Sequence, residues 1–252
     1  IRDSGTSHSN DLFRCKEPYF SSRAKGNIYD FVESYKENCE KTAGKGLMCM
    51  FSGNHDVDRL ARHLHGDELK VAFAFILSMP GAPFIYYGDE IGMRYVEGLK
   101  SVEGGYNRTG SRSPMQWDDS TNAGFSSAPA SDLYITMDPG KDRPTAKAQM
   151  ADPDSLYHEV KKLIQIRQSS KALLSRGTIE FVYAEKNQYP LAYVREAEGE
   201  KVLVIINPSD KEQSFPYSAE LKDALYTIGG KAESKDLSLI HISEPTRHAQ
   251  IS

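Results

Sequence analysis

Apolar residues recur at spacings of three and four along positions 28–39, which is the periodicity of one face of an α-helix. The side chain of Asn27 can cap this helix, and two glycines shortly after Thr42 end it. A second helix is predicted from Glu68 to Met79, where most residues are apolar, and Pro80-Gly81 breaks it. The first helix is therefore expected to bury one face, and the second to lie inside the protein.

Two short continuous apolar runs, Leu47–Phe51 and Pro83–Tyr87, predict strands that are buried on both faces. A cluster of polar residues follows each strand, Ser52–Asp56 after the first and Gly88–Glu90 after the second. The order helix, strand, helix, strand is typical of a parallel α/β domain. In barrels of that class the active site lies on the loops after the strands, so we expect the chemistry in these two clusters.

The second half of the chain changes in character twice. Residues 94–150 are rich in Gly, Ser, Pro and Asp, and a loop of that length inside a compact domain is usually functional. A helix is predicted over Pro153–Ser169, with a domain boundary near Ser170–Gly177. Alternating or β-branched segments then predict a small antiparallel β domain, with strands at Thr178–Tyr183, Leu191–Val194 and Val202–Ile206.

The composition narrows the range of partners. Of the 252 residues 31 are basic and 35 acidic, a net charge of −4 with no dominant basic patch, so nucleic acid and anionic membranes are poor candidates. The longest apolar stretch, Val71–Met79, is too short to cross a bilayer. Three cysteines cannot all pair with one another and match no zinc spacing, which favours buried thiols in a reducing, cytoplasmic compartment.

The last sixteen residues, Leu237–Ser252, fit no pattern in the rest of the chain. Their sequence, LSLIHISEPTRHAQIS, resembles the translation of a sequencing-library transposase adapter. We therefore expect this segment to be an artefact outside the fold. His241 and His248 are then not metal ligands, and no metal site is predicted.

Three motifs, in this order, resemble the α-amylase superfamily, glycoside hydrolase family 13. FSGNHDVDR (Phe51–Arg59) is similar to its fourth signature region, at the end of the seventh barrel strand. PGAPFIYYGDEIGM (Pro80–Met93) is similar to the segment from helix seven to strand eight. RSPMQWDDSTNAGFS (Arg112–Ser126) is similar to a stretch of α-glucosidases, oligo-1,6-glucosidases and trehalose-processing enzymes. The resemblance covers roughly Tyr19–Asp210.

The resemblance implies an α/β fold: the C-terminal portion of a (β/α)8 barrel in residues 1–170, followed by a small antiparallel β-sandwich in residues 171–236. It also implies an activity, the retaining cleavage of α-glucosidic bonds in an α-glucan or α-glucoside oligosaccharide, with no cofactor. Such cleavage needs a carboxylate nucleophile and a carboxylic acid about 5 Å apart. The family's contexts for both, G-[FL]-R-x-D and a Glu after the fifth strand, do not occur here.

Six barrel strands are therefore expected upstream, in a longer protein that we call the full-length protein. A barrel with two of its eight strands cannot close. The 252 residues alone are accordingly expected to be inactive and poorly folded.

The resemblance assigns roles to four residues. Asp56 matches the family's third carboxylate, which would hydrogen-bond the 2- and 3-hydroxyls of the reacting sugar most strongly in the transition state. His55 would donate to the same hydroxyls. Arg112 would close the bottom of the sugar pocket in exo-acting members, a task that suits a planar, always charged guanidinium. Arg59 is a further candidate, on the acceptor side.

Each role has a structural alternative. The Asn-His-Asp sequence at the strand end can simply form turn hydrogen bonds. The stem of Arg112 can pack on Trp117 at the surface. Arg59 can form an ion pair with Asp58 or Asp56.

Three other features have weaker functional interpretations. Asp89-Glu90 resembles an acid and nucleophile pair, but neighbouring strand residues point to opposite faces, so a structural role in the loop is expected. Trp117 and Phe125 can either stack on sugars or pack in the core under the long loop.

Three functions remain open. The first is an exo-acting α-glucosidase, which Arg112 favours over an endo-acting α-amylase because an endo-amylase needs an open cleft. The second is a transglycosidase or isomerase such as a trehalose synthase. The third is a non-catalytic relative that serves as a binding subunit, like the amino-acid-transporter heavy chains, against which an intact His55-Asp56 with Arg112 argues.

Overall fold

The computed structural model describes residues 18–23, 27–99, 109–218, 224–236, 239–243 and 248–251. The chain forms two compact units. The first consists of Ile1–Met50, His63–Pro83 and Leu163–Ser252, and the second of Phe51–Arg62 and Phe84–Lys162. The expected boundary at residue 170 falls inside the first unit, and the division into a barrel part and a β domain stays a prediction.

The first helix, α1, runs from Ile28 to Thr42, as the apolar spacing predicted. Asn27 caps it, because its Oδ1 accepts a hydrogen bond of 3.0 Å from the backbone N–H of Tyr29. One face of the helix is buried, and it consists of Ile28, Phe31, Val32 and Tyr35.

The second helix, α2, spans Asp67–Ser78, within one residue of the prediction at each end. Every residue from Glu68 to Ser78 except Lys70 is buried, which confirms the expected interior helix. Phe75 near the end of the helix lies in a group of aromatic rings. Its ring centroid is 5.1, 5.7 and 6.4 Å from those of Phe20, Phe31 and Tyr193.

Two short strands, β1 (Cys49–Phe51) and β2 (Ala82–Phe84), pair with each other. Their hydrogen bonds advance in the same direction along both strands, as in a parallel pair. The N–H of Ala82 donates to the carbonyl of Met48 at 2.8 Å, and the N–H of Ser52 donates to that of Phe84 at 2.9 Å.

The prediction that both strands are buried on both faces is wrong. Cys49 is exposed, and Phe84 is 60% exposed. Burial on both faces requires neighbouring strands and covering helices, and in the described part of the chain these two strands pair only with each other. The expectation of buried thiols is also wrong for Cys49, whereas Cys39 is partly buried; Cys15 lies outside the described residues.

The long segment 94–150 is built from short helical turns. Its described part contains three 3₁₀ helices and one α-helix: Thr109–Arg112, Thr121–Gly124, Ala130–Asp132 and α3, Ala146–Ala151. Helix α4 follows over Leu156–Ser169, three residues later than predicted. The delay has a local cause, because the side chain of Asp152 accepts a 3.0 Å hydrogen bond from the N–H of Asp154 and forms a turn there.

The predicted antiparallel β region is confirmed. Strands β3, β4 and β5 pair in succession, and Tyr193 in β4 lies opposite Phe181 on one side and Val204 on the other. The strands are β3 Thr178–Tyr183, β4 Leu191–Ala197, β5 Glu200–Asn207, β6 Gln213–Pro216, β7 Tyr226–Ile228, β8 Lys231–Asp236, β9 Leu239–Ser243 and β10 His248–Ile251.

These strands form two sheets. One has the order β3-β4-β5-β10-β7, and the other has the order β6-β9-β8. Helix α2 contacts β5, β7 and β10 of the larger sheet. Its Phe75 ring also packs on Tyr193 of β4, so the helix lies against this sheet. The description of this region as a sandwich domain stays a prediction.

The adapter-like segment contributes two of these strands, which differs from the expectation that it lies outside the fold. β9 pairs with β6 and β8, and β10 pairs with β5 and β7. Ladder hydrogen bonds are made by backbone groups, so an extended segment can pair with strands on both sides whatever its side chains. Strand pairing is therefore compatible with either origin, and the origin of the segment stays a prediction.

Two buried arginines bind the C-terminal end of α2. Unpaired carbonyls and the negative end of the helix dipole make such an end a favourable place for cations. Arg167 donates to the carbonyls of Leu77, Met79 and Gly81 at 2.7, 2.7 and 2.8 Å. Arg195 donates to those of Ser78, Thr178, Leu174 and Gly177.

The N-terminal end of α2 is tied to the segment before α1 by Glu68, which is 4% exposed. Its carboxylate accepts 2.8 Å hydrogen bonds from the backbone N–H and the hydroxyl of Ser22, and a 2.7 Å bond from the N–H of His65. We expect Glu68→Gln to lower the free energy of unfolding of the full-length protein by about 2 kcal/mol, because an amide replaces a buried charged acceptor with one oxygen and a misplaced donor.

Urea denaturation measures this change. Glu33→Gln is the matched control, since Glu33 is half exposed and forms an ion pair with Lys36 on the same helix. Its loss is expected to stay below about 0.5 kcal/mol. Equal losses in the two variants would contradict the assigned role of Glu68.

Candidate functional site

The loop after β1 carries two of the predicted site residues, His55 and Asp56. The loop is folded by Asn54, whose Oδ1 accepts a 2.7 Å hydrogen bond from the backbone N–H of Asp56. This turn leaves both side chains accessible, with 66% of the His55 side chain and 45% of the Asp56 side chain exposed. The expected turn hydrogen bond is therefore present, and it leaves the carboxylate available to other groups.

Arg112 reaches the same loop from the long segment. It ends the 3₁₀ helix Thr109–Arg112, its Nε donates to the carbonyl of His55 at 2.9 Å, and its Nη2 lies 3.2 Å from Asp56 Oδ1. The His55 Nε2 is 3.5 Å from Asp56 Oδ2. The structure thus brings together three of the four predicted residues, His55, Asp56 and Arg112, which we call the Asp56 cluster.

The alternative interpretation of Arg112, a surface side chain packed on Trp117, does not describe these contacts. Two of its guanidinium nitrogens are directed at the loop after β1, and only 32% of its side chain is exposed. The guanidinium therefore joins two segments that are 56 residues apart in sequence.

Ser111 is a contributor that sequence reasoning missed. It is fully buried, and its hydroxyl donates a 2.7 Å hydrogen bond to the carbonyl of Val57. The residue before Arg112 is thus fixed to the residue after Asp56. A serine in a polar segment carries no pattern that would have predicted this contact.

Arg59 lies away from the Asp56 cluster, in the interior. Its side chain is 0% exposed and its Nη1 lies 2.9 Å from Asp89 Oδ1. The same nitrogen donates to the Tyr87 carbonyl at 2.8 Å, and the guanidinium lies 4.9 and 4.8 Å from the rings of Tyr86 and Tyr87. The structural alternative to an acceptor-side role was an ion pair with Asp58 or Asp56. Arg59 does form an ion pair, but with Asp89, because two ring faces and a buried carboxylate suit a planar cation.

Asp89 has the structural role that was expected of it. It is 2% exposed, and its Oδ2 accepts a 2.7 Å hydrogen bond from the hydroxyl of Ser52. The Ser52 oxygen in turn accepts a 2.9 Å bond from the N–H of Tyr86. Burial raises the pKa of the neighbouring Glu90 carboxyl. Both oxygens of Asp89 are engaged, so this residue holds the Ser52 hydroxyl and the Arg59 guanidinium in place.

Trp117 and Phe125 are 53% and 50% exposed. The alternative that both rings pack in the core under the long loop is therefore wrong for the part of the chain that the structure describes. Their loop is braced from within. The N–H of Trp117 donates to the Ala123 carbonyl at 2.8 Å, and Asn122 and Ala123 have φ values of 50° and 53°. Non-glycine residues adopt this region seldom, and it often accompanies functional loops. The sugar-stacking role stays a prediction.

A protein-family model described as Alpha amylase, catalytic domain, matches residues 11–177 of this chain. The chain belongs to the α-amylase family. The resemblance seen in the three sequence motifs is therefore confirmed.

Two curated members of the α-amylase family are similar over most of this chain. The oligo-1,6-glucosidase of Parageobacillus thermoglucosidasius is 32% identical in an alignment that covers 84% of this chain and 44% of that protein. The trehalose synthase of Thermus thermophilus is 34% identical over 178 residues, which cover 68% of this chain and 18% of that protein. The chain spans less than half the length of these relatives.

A solved structure agrees with the fold. Trehalulose synthase MutB from Pseudomonas mesoacidophila MX-45 superposes with a TM-score of 0.76 at 24% identity, over 96% of this chain and 49% of that chain. At that identity the likeness is one of fold, and with the family model it supports the expected part of a (β/α)8 barrel. No helix in the described part of the chain is long and apolar enough to span a membrane.

Proposed function

We propose that this chain is the C-terminal part of a retaining exo-α-glucosidase that cleaves α-glucosidic bonds of oligosaccharides. The observation that carries the proposal is the Asp56 cluster, in which an imidazole and a guanidinium each lie within 3.5 Å of an exposed carboxylate. All three groups can hydrogen-bond to sugar hydroxyls. Family membership supplies the reaction class.

Asp56 is the group that discriminates between ground state and transition state in this proposal. Its carboxylate accepts hydrogen bonds from the 2- and 3-hydroxyls of the reacting sugar. These bonds strengthen as positive charge develops on the flattened ring, so they lower the barrier more than they improve binding. His55 donates to the same hydroxyls.

Arg112 defines the end of the sugar pocket. Its guanidinium carries five N–H donors and directs two of its nitrogens at the His55 carbonyl and Asp56. A non-reducing-end hydroxyl can accept from one of them. A cation at that point closes the pocket to longer glucan chains, which favours exo-acting cleavage over the endo-cleavage of an α-amylase.

The remaining catalytic groups belong to the full-length protein. The nucleophile and the general acid are expected in the region that the relatives have and this chain lacks, since the chain covers 44% of the oligo-1,6-glucosidase.

Two further features belong to the proposal. The β strands after residue 171 form the family's C-terminal sandwich domain. The protein acts in the cytoplasm without a cofactor.

Product analysis by NMR tests the proposal. The full-length protein, incubated with maltose, isomaltose and trehalose in turn, is expected to release glucose first as the α-anomer from at least one of them, because two displacements retain configuration. The 252-residue chain is expected to release none, since it lacks the nucleophile and acid contexts. Turnover by the chain alone, or β-glucose as the first product, would contradict the proposal.

A trehalose synthase is the second candidate, because one such enzyme is 34% identical over 178 residues. The two candidates differ in what attacks the intermediate, water or a sugar hydroxyl. Conversion of maltose to trehalose with little free glucose would favour the synthase. A full-length protein that binds maltose and turns over none of the three sugars would point to a non-catalytic relative.

A further inference from the structure

We propose that Asp89 is a positioning residue that fixes both ends of the loop carrying Asp56 and thereby sets the geometry of the transition-state contact. The inference rests on the proposed function of Asp56. It concerns a carboxylate that is 2% exposed and whose oxygens bind Ser52 and Arg59, outside the Asp56 cluster.

One carboxylate binds the loop at its first and last residues. Asp89 Oδ2 accepts a 2.7 Å hydrogen bond from the hydroxyl of Ser52, directly after β1. Asp89 Oδ1 lies 2.9 Å from the Nη1 of Arg59, seven residues further on. Ser52 and Arg59 are both fully buried, so the two anchors lie out of reach of competing water.

The loop approaches this carboxylate closely. A Cβ atom placed on Gly53 would lie 2.8 Å from Asp89 Oδ2, closer than carbon and oxygen atoms normally approach. The backbone therefore passes directly over the carboxylate, and a glycine at this position permits the approach. The distance leaves little room for Asp89 or Gly53 to shift independently.

Arg59 depends on Asp89 for its place. Within the described residues, its Nε and Nη2 have no hydrogen-bond partner, so the Asp89 carboxylate and the Tyr87 carbonyl supply its hydrogen bonds. A buried guanidinium without a counter-ion is strongly disfavoured. Loss of the Asp89 charge would therefore release Arg59 and, with it, the end of the loop.

The loop is also held from the side of the long segment. Ser111 binds the Val57 carbonyl, and Arg112 binds the His55 carbonyl. Asp89 thus fixes the two ends of the loop, and the long segment binds its middle. Preorganised polar groups act only when they are held near their working geometry, and a shift of about 1 Å can cost a large part of the rate.

A double-mutant cycle in the full-length protein tests the inference. Asp89→Asn is expected to lower kcat by about 10–100-fold per folded molecule, with KM changed less than about threefold, because the contact that it disturbs acts in the transition state. In the Asp56→Asn background the same change is expected to lower kcat less than about threefold, since the positioned group is already gone.

Asp138→Asn is the matched control. Asp138 is also a buried carboxylate paired with an arginine, at 2.9 Å from Arg94 Nε, and its hydrogen bonds in the described part of the chain go to Arg94 and Gly140, outside the loop 52–59. It is expected to reduce thermal stability while leaving kcat within about threefold. A purely structural Asp89 would behave in the same way, and that result would overturn the inference.

Ser52→Ala keeps the test decisive if Asp89→Asn fails to fold. It removes only the first anchor and leaves the ion pair between Asp89 and Arg59, so a kcat loss of about threefold to tenfold is expected, again absent in the Asp56→Asn background. Additive losses in the cycle overturn the positioning role alone. An Asp56→Asn variant as active as the unaltered protein overturns the proposed function itself, so the two failures are distinguishable.

Discussion

Asp56→Asn is expected to lower kcat of the full-length protein by about 10²–10³-fold while changing KM by no more than a few fold. The substitution keeps the size and one carbonyl oxygen of the side chain but removes its negative charge. Removal of a single preorganised group that stabilises transition-state charge has effects of this size. A ground-state contact would instead raise KM and leave kcat almost unchanged.

The local geometry makes Asn a fair test. The backbone N–H of Asp56 donates to the side-chain Oδ1 of Asn54, and the substitution leaves this hydrogen bond in place. The Arg112 Nη2 can still donate to the remaining carbonyl oxygen at the position of Oδ1. The loop is therefore expected to keep its shape, and steady-state kinetics on the sugar that the unaltered protein cleaves measure the loss of charge.

Asp58→Asn is the control in the same loop. Asp58 lies two residues further on and forms a 2.8 Å ion pair with Arg62, one turn later. Removing its charge is expected to leave kcat within about threefold, because partly exposed pairs contribute little. Losses of equal size in the two variants would mean that the rate responds to the total charge of the loop, and the role assigned to Asp56 would then be wrong.

Local patterns predicted the elements whose causes are local. The capping of α1 by Asn27 needs only the residues next to it, and the stretch that forms α2 is apolar on all sides, which predicts an interior helix. The strands β3, β4 and β5 were likewise readable, because each alternates or is β-branched between turn residues. These elements agree with the prediction to within a few residues at each end.

The errors concern properties that depend on neighbours in space. The apolar run that contains β1 predicted burial on both faces, but burial depends on what pairs with the strand and covers it, and the run itself carries no such information. The start of α4 was predicted too early because the Asp152 turn was not recognised. The pairing of β9 and β10 was missed since backbone ladders do not require a particular sequence.

The candidate site was predictable to different depths. His55, Asp56 and Arg112 were found through family motifs, and spacing alone could not have joined residues 56 positions apart. The pair of Arg59 and Asp89 connects two different polar clusters, each next to several carboxylates. Local sequence offered Asp58 and Asp56 as nearer partners, and the choice is made by burial and by the rings of two tyrosines.

Arg195→Met is expected to lower the free energy of unfolding of the full-length protein by about 3 kcal/mol, an unusually large effect for one residue. Arg195 is fully buried, and four backbone carbonyls accept its hydrogen bonds, those of Ser78, Thr178, Leu174 and Gly177. Met has a similar length and no donors. Each carbonyl left buried without a partner costs roughly 1–3 kcal/mol.

An opposing effect makes the net change smaller than that sum. Burial, with the like charge of Arg167 nearby, lowers the pKa of Arg195 to about 10, so the folded state carries a desolvation penalty that Met removes. A shift of this size corresponds to roughly 3 kcal/mol. The Leu174 carbonyl also accepts the N–H of Gly177 at 3.2 Å, so it keeps a partner in the variant. The carbonyls of Ser78, Thr178 and Gly177 each lose the Arg195 hydrogen bond, and at about 2 kcal/mol each their combined cost of about 6 kcal/mol outweighs the desolvation penalty.

The pH dependence follows from the sign of the shift. Because the folded-state pKa of Arg195 lies below its unfolded-state value, the charged form is disfavoured by folding, and stability rises only as the pH passes from about 10 upward. Below that range Arg195 is charged in both states. The difference between Arg195→Met and the unaltered protein is therefore expected to be constant between about pH 6 and 9.

Urea denaturation at two pH values within that range measures both statements. Arg176→Met is the control, because Arg176 is exposed and directly precedes Gly177, whose carbonyl Arg195 binds. Its effect on the free energy of unfolding is expected to stay within about 0.5 kcal/mol. If Arg195→Met proved as stable as the unaltered protein, the desolvation penalty would equal the worth of all four hydrogen bonds. Arg195 would then hold the end of α2 in place without contributing net stability, as some buried charges do.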